Sequence, residues 1–193
     1  MMFGTYRYCL AHLVVLTHLA SWPGVGSYAV FGFYMLSGFL MSLILNERYG
    51  FSLQGLRGYA ANRALRIYPP YLFVLAATAV VVWALPNFAP QVRGSLILPD
   101  TWLAWAQQIG IVGIDWQARS RLIPASWSLY AELVYYVAMA LVLARNRTIV
   151  LLWLGASVAY TLWLLVSGAE WQLRYYPVLA ASLPFSLGAT IYC

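Results

Sequence analysis

The sequence predicts an all-α, polytopic transmembrane helix bundle, with about six spans plus one short re-entrant or interfacial segment, on three observations. Of 193 residues, 63% are hydrophobic and only 8% are charged, against roughly 25% charged in an ordinary soluble domain. Apolar runs near the 20-residue length that crosses hydrocarbon as a helix recur along the chain. Nine Trp, fifteen Tyr and eight Phe supply rings of the kind that anchor helices at the two membrane interfaces. A soluble globule is excluded by the first observation. Disorder is excluded as well, because it requires low hydrophobicity and high charge.

The runs fall at residues 6–23, 28–45, 67–85, 125–144, 148–167 and 174–193. The first carries one Arg and no small-residue cleavage site, and His12 and His18 interrupt it, so it reads as a retained span and not as a leader. The run from Trp102 to Gly113 is too short to cross comfortably, which makes it the re-entrant or interfacial segment. The link from Asn46 to Arg66 holds Arg48, Arg57, Arg63 and Arg66 against one Glu47, and Arg145-Asn146-Arg147 forms a basic turn. Both read as cytoplasmic under the positive-inside rule. Six spans then put the N-terminus inside, with seven Arg facing the cytoplasm and four outside. Letting Trp102–Gly113 cross would make the count eight and three, so segment length decides here, not charge. The whole of 1–193 is expected to be one membrane domain, cut short at its C-terminus, since Cys193 ends the chain inside an apolar run.

All eleven basic residues are Arg, and five acidic residues leave a net charge of +6. They stand singly or in short clusters at the ends of apolar runs, without the stripe that nucleic acid binding requires. Cys9 and Cys193 sit at opposite ends of the chain and offer neither a disulfide framework nor metal-ligand spacing. No nucleic acid and no metal are expected.

Ionisable side chains within a span are costly and mark functional sites, so His12, His18 and Glu132 come first. Arg7 and His18 are eleven residues apart, about 1100° of helical rotation and roughly 16 Å of rise, so they share one face. His12 points about 120° away from His18 and reads as a packed histidine bonded to a neighbouring carbonyl. Glu132 lies about 10 Å inside the outer end of its span, at a depth similar to that of His18. A carboxylate beside an imidazole fixes its tautomer and raises its basicity; equally, such a pair can do no more than hold helices together. Arg63 and Arg66 share a face ahead of Tyr68-Pro69-Pro70-Tyr71. They suit either interfacial anchoring or the phosphates of an anionic ligand. Gly32, Ser37 and Gly38 read as small residues that let helices approach.

Four elements together, Arg7-x10-His18, Gly32-Phe33-x3-Ser37-Gly38-Phe39-Leu40, Arg63-x2-Arg66-Ile67-x-Pro69-Pro70 and Ser126-Trp127-Ser128-Leu129-x2-Glu132, resemble membrane-bound acyltransferase family 3 in order and spacing. Leu183-Pro184-Phe185-x2-Gly188 looks like a later segment of that family. The resemblance implies an O-acyltransferase that takes an acyl group, usually acetyl, from cytoplasmic acyl-CoA and passes it to a hydroxyl of an extracytoplasmic carbohydrate or lipid-linked glycan. It implies a bacterial cytoplasmic (inner) membrane location and acyl-CoA as donor. The family's invariant histidine maps onto His18 and its acidic residue onto Glu132, giving a general base, or an acyl carrier, and the group that orients it. Its cytoplasmic arginines map onto Arg7, Arg63 and Arg66, which would bind the phosphates of coenzyme A. The acidic residue that the family has just before the first Arg is absent, with Gly4-Thr5-Tyr6 in its place.

A proton-coupled transporter or flippase of an anionic glycolipid would use the same residues, with His18 and Glu132 as a proton relay. It would favour discontinuous helices in paired halves, and no such symmetry is visible in the sequence. A structural subunit would not require the Arg–His–Glu alignment.

Overall fold

The computed structural model describes the backbone of residues 2–20, 24–114 and 116–193, and within these all side chains but those of Met2, Phe3 and His18. Every regular element among them is helical. Among the described residues, four helices are long and apolar enough to cross a membrane: Val25–Tyr49, Leu53–Ala84, Ser126–Leu143 and Arg147–Val166. They make the chain an integral membrane protein. Two other expected runs form the 19-residue helix α1, Met2–Ala20, and the shorter apolar stretch Val178–Tyr192. Residues 21–23, at the end of the first expected run, lie outside the described residues.

The chain divides into two compact units, one of residues 1–52 with 134–193 and one of residues 53–133. In the first, α2, Val25–Ile44, pairs with α1 and with α9, Ser182–Tyr192, while α7, Arg147–Val166, packs on α9. Lipid tails are as apolar as leucine, so helices in a bilayer associate through close packing and polar contacts rather than through burial from water. The small residues supply the packing. A Cβ on Gly38 would overlap the Phe185 carbonyl, and one on Gly188 would overlap the Met35 carbonyl, so α2 and α9 cross with their backbones in contact. A Cβ on Gly32 would press on Leu10 at 3.0 Å and on the Tyr6 hydroxyl at 3.2 Å, which sets the approach of α1. Fully buried Phe185 fills the centre, stacked on Tyr135 at 4.7 Å and on Tyr34 at 5.1 Å.

Polar contacts complete this unit. Trp153 Nε1 donates to Ser182 Oγ at 2.8 Å, and the Ser157 and Ser182 hydroxyls lie 2.7 Å apart, joining α7 to α9. Each of α2 and α6 (Ser126–Ala138) runs on into one π-helical stretch, Leu45–Tyr49 and Met139–Leu143. Asn46 donates to the Ala144 carbonyl at 3.0 Å and ties these two stretches together.

The second unit is built on α3, Leu53–Ala84, which at 32 residues is far longer than the expected run at 67–85. The hydropathy pattern begins at Ile67, but the helix starts fourteen residues earlier and carries Arg57, Arg63 and Arg66 in its polar part. Pro69 and Pro70 lie inside it. Neither has an N–H, so the carbonyls of Leu65 and Arg66 lose their helical donors. The expected short segment is α5, Trp102–Gly110; nine residues rise about 13 Å, less than half of a hydrocarbon core. Thr101 caps its start by accepting from the Ala104 amide at 3.2 Å. The four-residue α4, Ala89–Val92, precedes it.

The last carbonyls of α5 have no helical donor, and the tyrosines beside the proline pair supply one. Tyr71 donates to the Gln108 carbonyl at 2.6 Å, and Tyr68 donates to the Gly110 carbonyl at 2.8 Å. The Gln108 side chain, 4% exposed, accepts from the Leu122 amide at 2.9 Å and donates to Ser120 Oγ at 3.3 Å, so it holds the loop that follows. Around these bonds Leu75, Val82, Ile111, Ile114 and Leu122 form the core of the unit. Gln108→Leu leaves a buried amide at Leu122 without its acceptor, which costs about 2 kcal/mol; hydrogen exchange is expected to show the Leu122 amide losing protection about thirtyfold while the amides in the middle of α7 keep theirs.

The expected run at 174–193 is broken. It forms α8, Trp171–Tyr175, a 3₁₀ turn, Val178–Ala181, and then α9. Pro177 accounts for the break, since it bars a helix through its own position and disfavours one at Tyr176. Pro184 is tolerated because it falls in the first turn of α9, where an N–H would have no helical acceptor.

Candidate active site

On α3, Tyr59, Arg63 and Arg66 stand at i, i+4 and i+7 and so share a face. Tyr59 is 3% exposed, and its hydroxyl lies within electrostatic reach of both the Arg63 guanidinium and the Glu132 carboxylate. The second unit thus brings Arg63 and Glu132 together around a buried tyrosine. Glu132 comes from the early part of α6 and is half-buried.

Arg63 is half-buried and donates through Nη2 to Asn62 Oδ1 at 2.5 Å, but its Nε is buried with no partner. An unpaired buried donor on a charged group is costly. A guanidinium edge held in this way is ready for an incoming oxyanion, which it can take by two parallel bonds. Arg66 is exposed. With Arg63 it places two permanent positive charges within two turns of the proline pair, where two carbonyls without helical donors already open the helix to polar neighbours.

Arg7 and His18 belong to the other unit, on the unbroken helix α1, which keeps the common face that their spacing requires. Arg7 is half-buried. The imidazole of His18 lies outside the described side chains. His12 is exposed, its Nδ1 lies 2.8 Å from the Tyr8 carbonyl, and its ring packs on Tyr8 at 3.9 Å. It has the backbone partner expected of it. Cys9 and Cys193 are free and exposed, and the described residues contain no cluster of His, Cys, Asp or Glu that could hold a metal.

Two residues that shape this region escape a reading by sequence alone. Tyr59 is signalled only by its spacing to Arg63 and Arg66, a pattern any helix contains by chance. Gln108 gives no local signal at all, because its partners Ser120 and Leu122 are set by the loop's return path.

No curated protein and no solved structure matches the chain. The family model described as an acyltransferase domain matches residues 5–193, a stretch that contains all four motifs and runs from α1 to the end of α9. With that match and an all-helical, membrane-spanning fold, the chain belongs to acyltransferase family 3 and is a membrane acyltransferase.

Proposed function

We propose that the protein moves an acyl group, acetyl by preference, from cytoplasmic acyl-CoA to a hydroxyl of an extracytoplasmic carbohydrate or lipid-linked glycan. The observation that carries this reading is the family match across residues 5–193. That span includes Arg7, His18, Arg63, Arg66 and Glu132, and the match favours acyl transfer over the proton-coupled transporter. In the reaction proposed, His18 takes the proton of the acceptor hydroxyl as the oxygen attacks the thioester carbon. The carbon–sulfur bond breaks, an ester forms, and the departing thiolate recovers the proton from the imidazolium. Glu132 supplies the carboxylate that supports the charged imidazole. Arg7, Arg63 and Arg66 hold the phosphates of the donor; the unpaired Nε of Arg63 and its nearness to Tyr59 and Glu132 agree with such a role. The protein would lie in a bacterial cytoplasmic membrane with its N-terminus inside.

Transfer of label from acetyl-CoA to endogenous glycan in membrane vesicles tests the reading. Arg63→Ala removes one charge-assisted contact, typically about 1.5–3 kcal/mol, and is expected to raise KM for acetyl-CoA at least tenfold with kcat little changed. Arg57, six residues back and so about 120° around the helix from Arg63, is exposed, and Arg57→Ala should move KM less than twofold. Equal effects of the two would remove Arg63 from the donor site; no transfer by the wild type would refute the function.

A further inference from the structure

The first unit contains a cavity of about 380 Å³ that the proposed reaction does not use, within the 300–1,000 Å³ range of small-molecule sites. Its walls come from α1, α2, α7 and α9 and are mostly apolar, among them Phe31, Met35 and Leu187. Tyr6 and Thr161 also line it, and the Thr161 hydroxyl already donates to the Ser157 carbonyl at 2.9 Å. The one charged residue lining it is Arg174, from α8.

Arg174 is placed as a headgroup-level cation would be. The twenty residues of α7 rise about 30 Å, which puts α8 at the end of this unit opposite the Arg145–Arg147 turn. Aromatic rings gather there: Trp171 stacks on Tyr175 at 5.5 Å, Tyr175 meets Tyr176 at 4.9 Å, and Phe31 packs on Tyr175 at 5.6 Å. Such a group is characteristic of the membrane interface. Burial pushes the Tyr175 phenol up. The Arg174 guanidinium carbon sits 5.9 Å from the centre of the Trp171 ring, while its Nε is buried with no partner. Glu170 stands one turn earlier, just before α8, yet no ion pair joins it to Arg174. A half-buried cation with an unbonded Nε, lining an otherwise apolar cavity, is complementary to an amphiphile with a negative head and a hydrocarbon tail. The Tyr28–Met35 lining of α2 covers about 10 Å of helix, enough to lay part of a chain along it.

We propose that this cavity binds one anionic phospholipid of the surrounding bilayer, with its phosphate on Arg174 and an acyl chain along the apolar wall that Phe31, Met35 and Leu187 form. The site is independent of the transfer reaction. Native mass spectrometry of the full chain in mild detergent, titrated with phosphatidylglycerol or phosphatidylcholine of matched chains, tests it. One phosphatidylglycerol per chain is expected to be retained severalfold more tightly than phosphatidylcholine. Arg174→Gln should weaken it about tenfold, as should Leu187→Trp, which fills the cavity and leaves the charge in place. Arg93→Gln, at an exposed Arg of the other unit, should change nothing. Equal retention of the two lipids, or full retention by Leu187→Trp, overturns the proposal. So does displacement of the lipid by millimolar inorganic phosphate, which would make the cavity an anion site. If Arg174→Gln fails to fold, the Leu187→Trp titration decides alone.

Discussion

His18→Ala is expected to abolish acyl transfer, by at least a hundredfold in kcat, with KM for acetyl-CoA close to that of the wild type. A positioned general base contributes typically 10²- to 10⁴-fold, and a sugar hydroxyl is too weak an acid to attack a thioester without one. A change confined to kcat is the mark of an interaction made in the transition state and not in donor binding, and it sets His18 apart from Arg63. His12→Ala provides the internal control. Its ring bonds to the Tyr8 carbonyl one turn back on its own helix, so its loss should leave transfer within about twofold. Transfer retained by His18→Ala, in protein that elutes and unfolds as the wild type does, would remove His18 from the mechanism. Equal losses in both variants would point instead to the integrity of α1.

Gly188→Val is expected to be the most damaging change to the fold. A Cβ at this position meets the Met35 carbonyl group and the Phe39 amide nitrogen of α2, all backbone, so no side chain can turn aside and the helices must separate. Overpacking commonly costs about 1–3 kcal/mol; with backbone on both sides, a loss above about 3 kcal/mol is expected, together with the stacking of Tyr34 on Phe185 that the close approach permits. Gly155→Ala is the matching control: a Cβ there has nothing within 4 Å, and in mid-helix alanine is favoured over glycine by roughly 0.5–1 kcal/mol. Thermal unfolding in detergent, followed by tryptophan fluorescence, should show Gly188→Val melting well below the wild type and Gly155→Ala at or above it. An unchanged melting temperature in Gly188→Val would mean that α2 and α9 do not cross backbone to backbone.

The helices were legible where hydropathy alone decides them. The runs that became α2, α6 with its π-helical end, and α7 are long, apolar and free of internal proline, so length and composition sufficed. The polar half of α3 was not legible. Arg57, Arg63 and Arg66 lower its hydropathy and Pro69-Pro70 reads as a stop, yet the helix continues through both, and the tyrosines on either side of the prolines donate to carbonyls of α5. Close packing by Gly38 was readable as a tendency of small residues; its partner Phe185 was not, since 147 residues separate the two and only the folded chain pairs them. Of the site, Arg63 and Glu132 could be named from their residue types and motif spacing. Tyr59, within electrostatic reach of both, could not, because a buried tyrosine on a helix looks like any other core residue until its neighbours are known.

The proline pair of α3 also governs depth. A 32-residue helix is about 48 Å long, and a hydrocarbon layer of about 30 Å could slide along a uniform rod of that length with little resistance. This one carries a waterline. Moving inward by one turn would carry the bare carbonyls of Leu65 and Arg66, and the Arg66 guanidinium with them, into oil; moving outward would bring Leu72, Phe73 and Val74 into water. The helix is therefore moored at a single height, and Arg63, one turn on the aqueous side of Arg66, is moored with it. A donor seated on that residue would keep its nucleotide among the headgroups, so that only its thin pantetheine arm need enter the membrane.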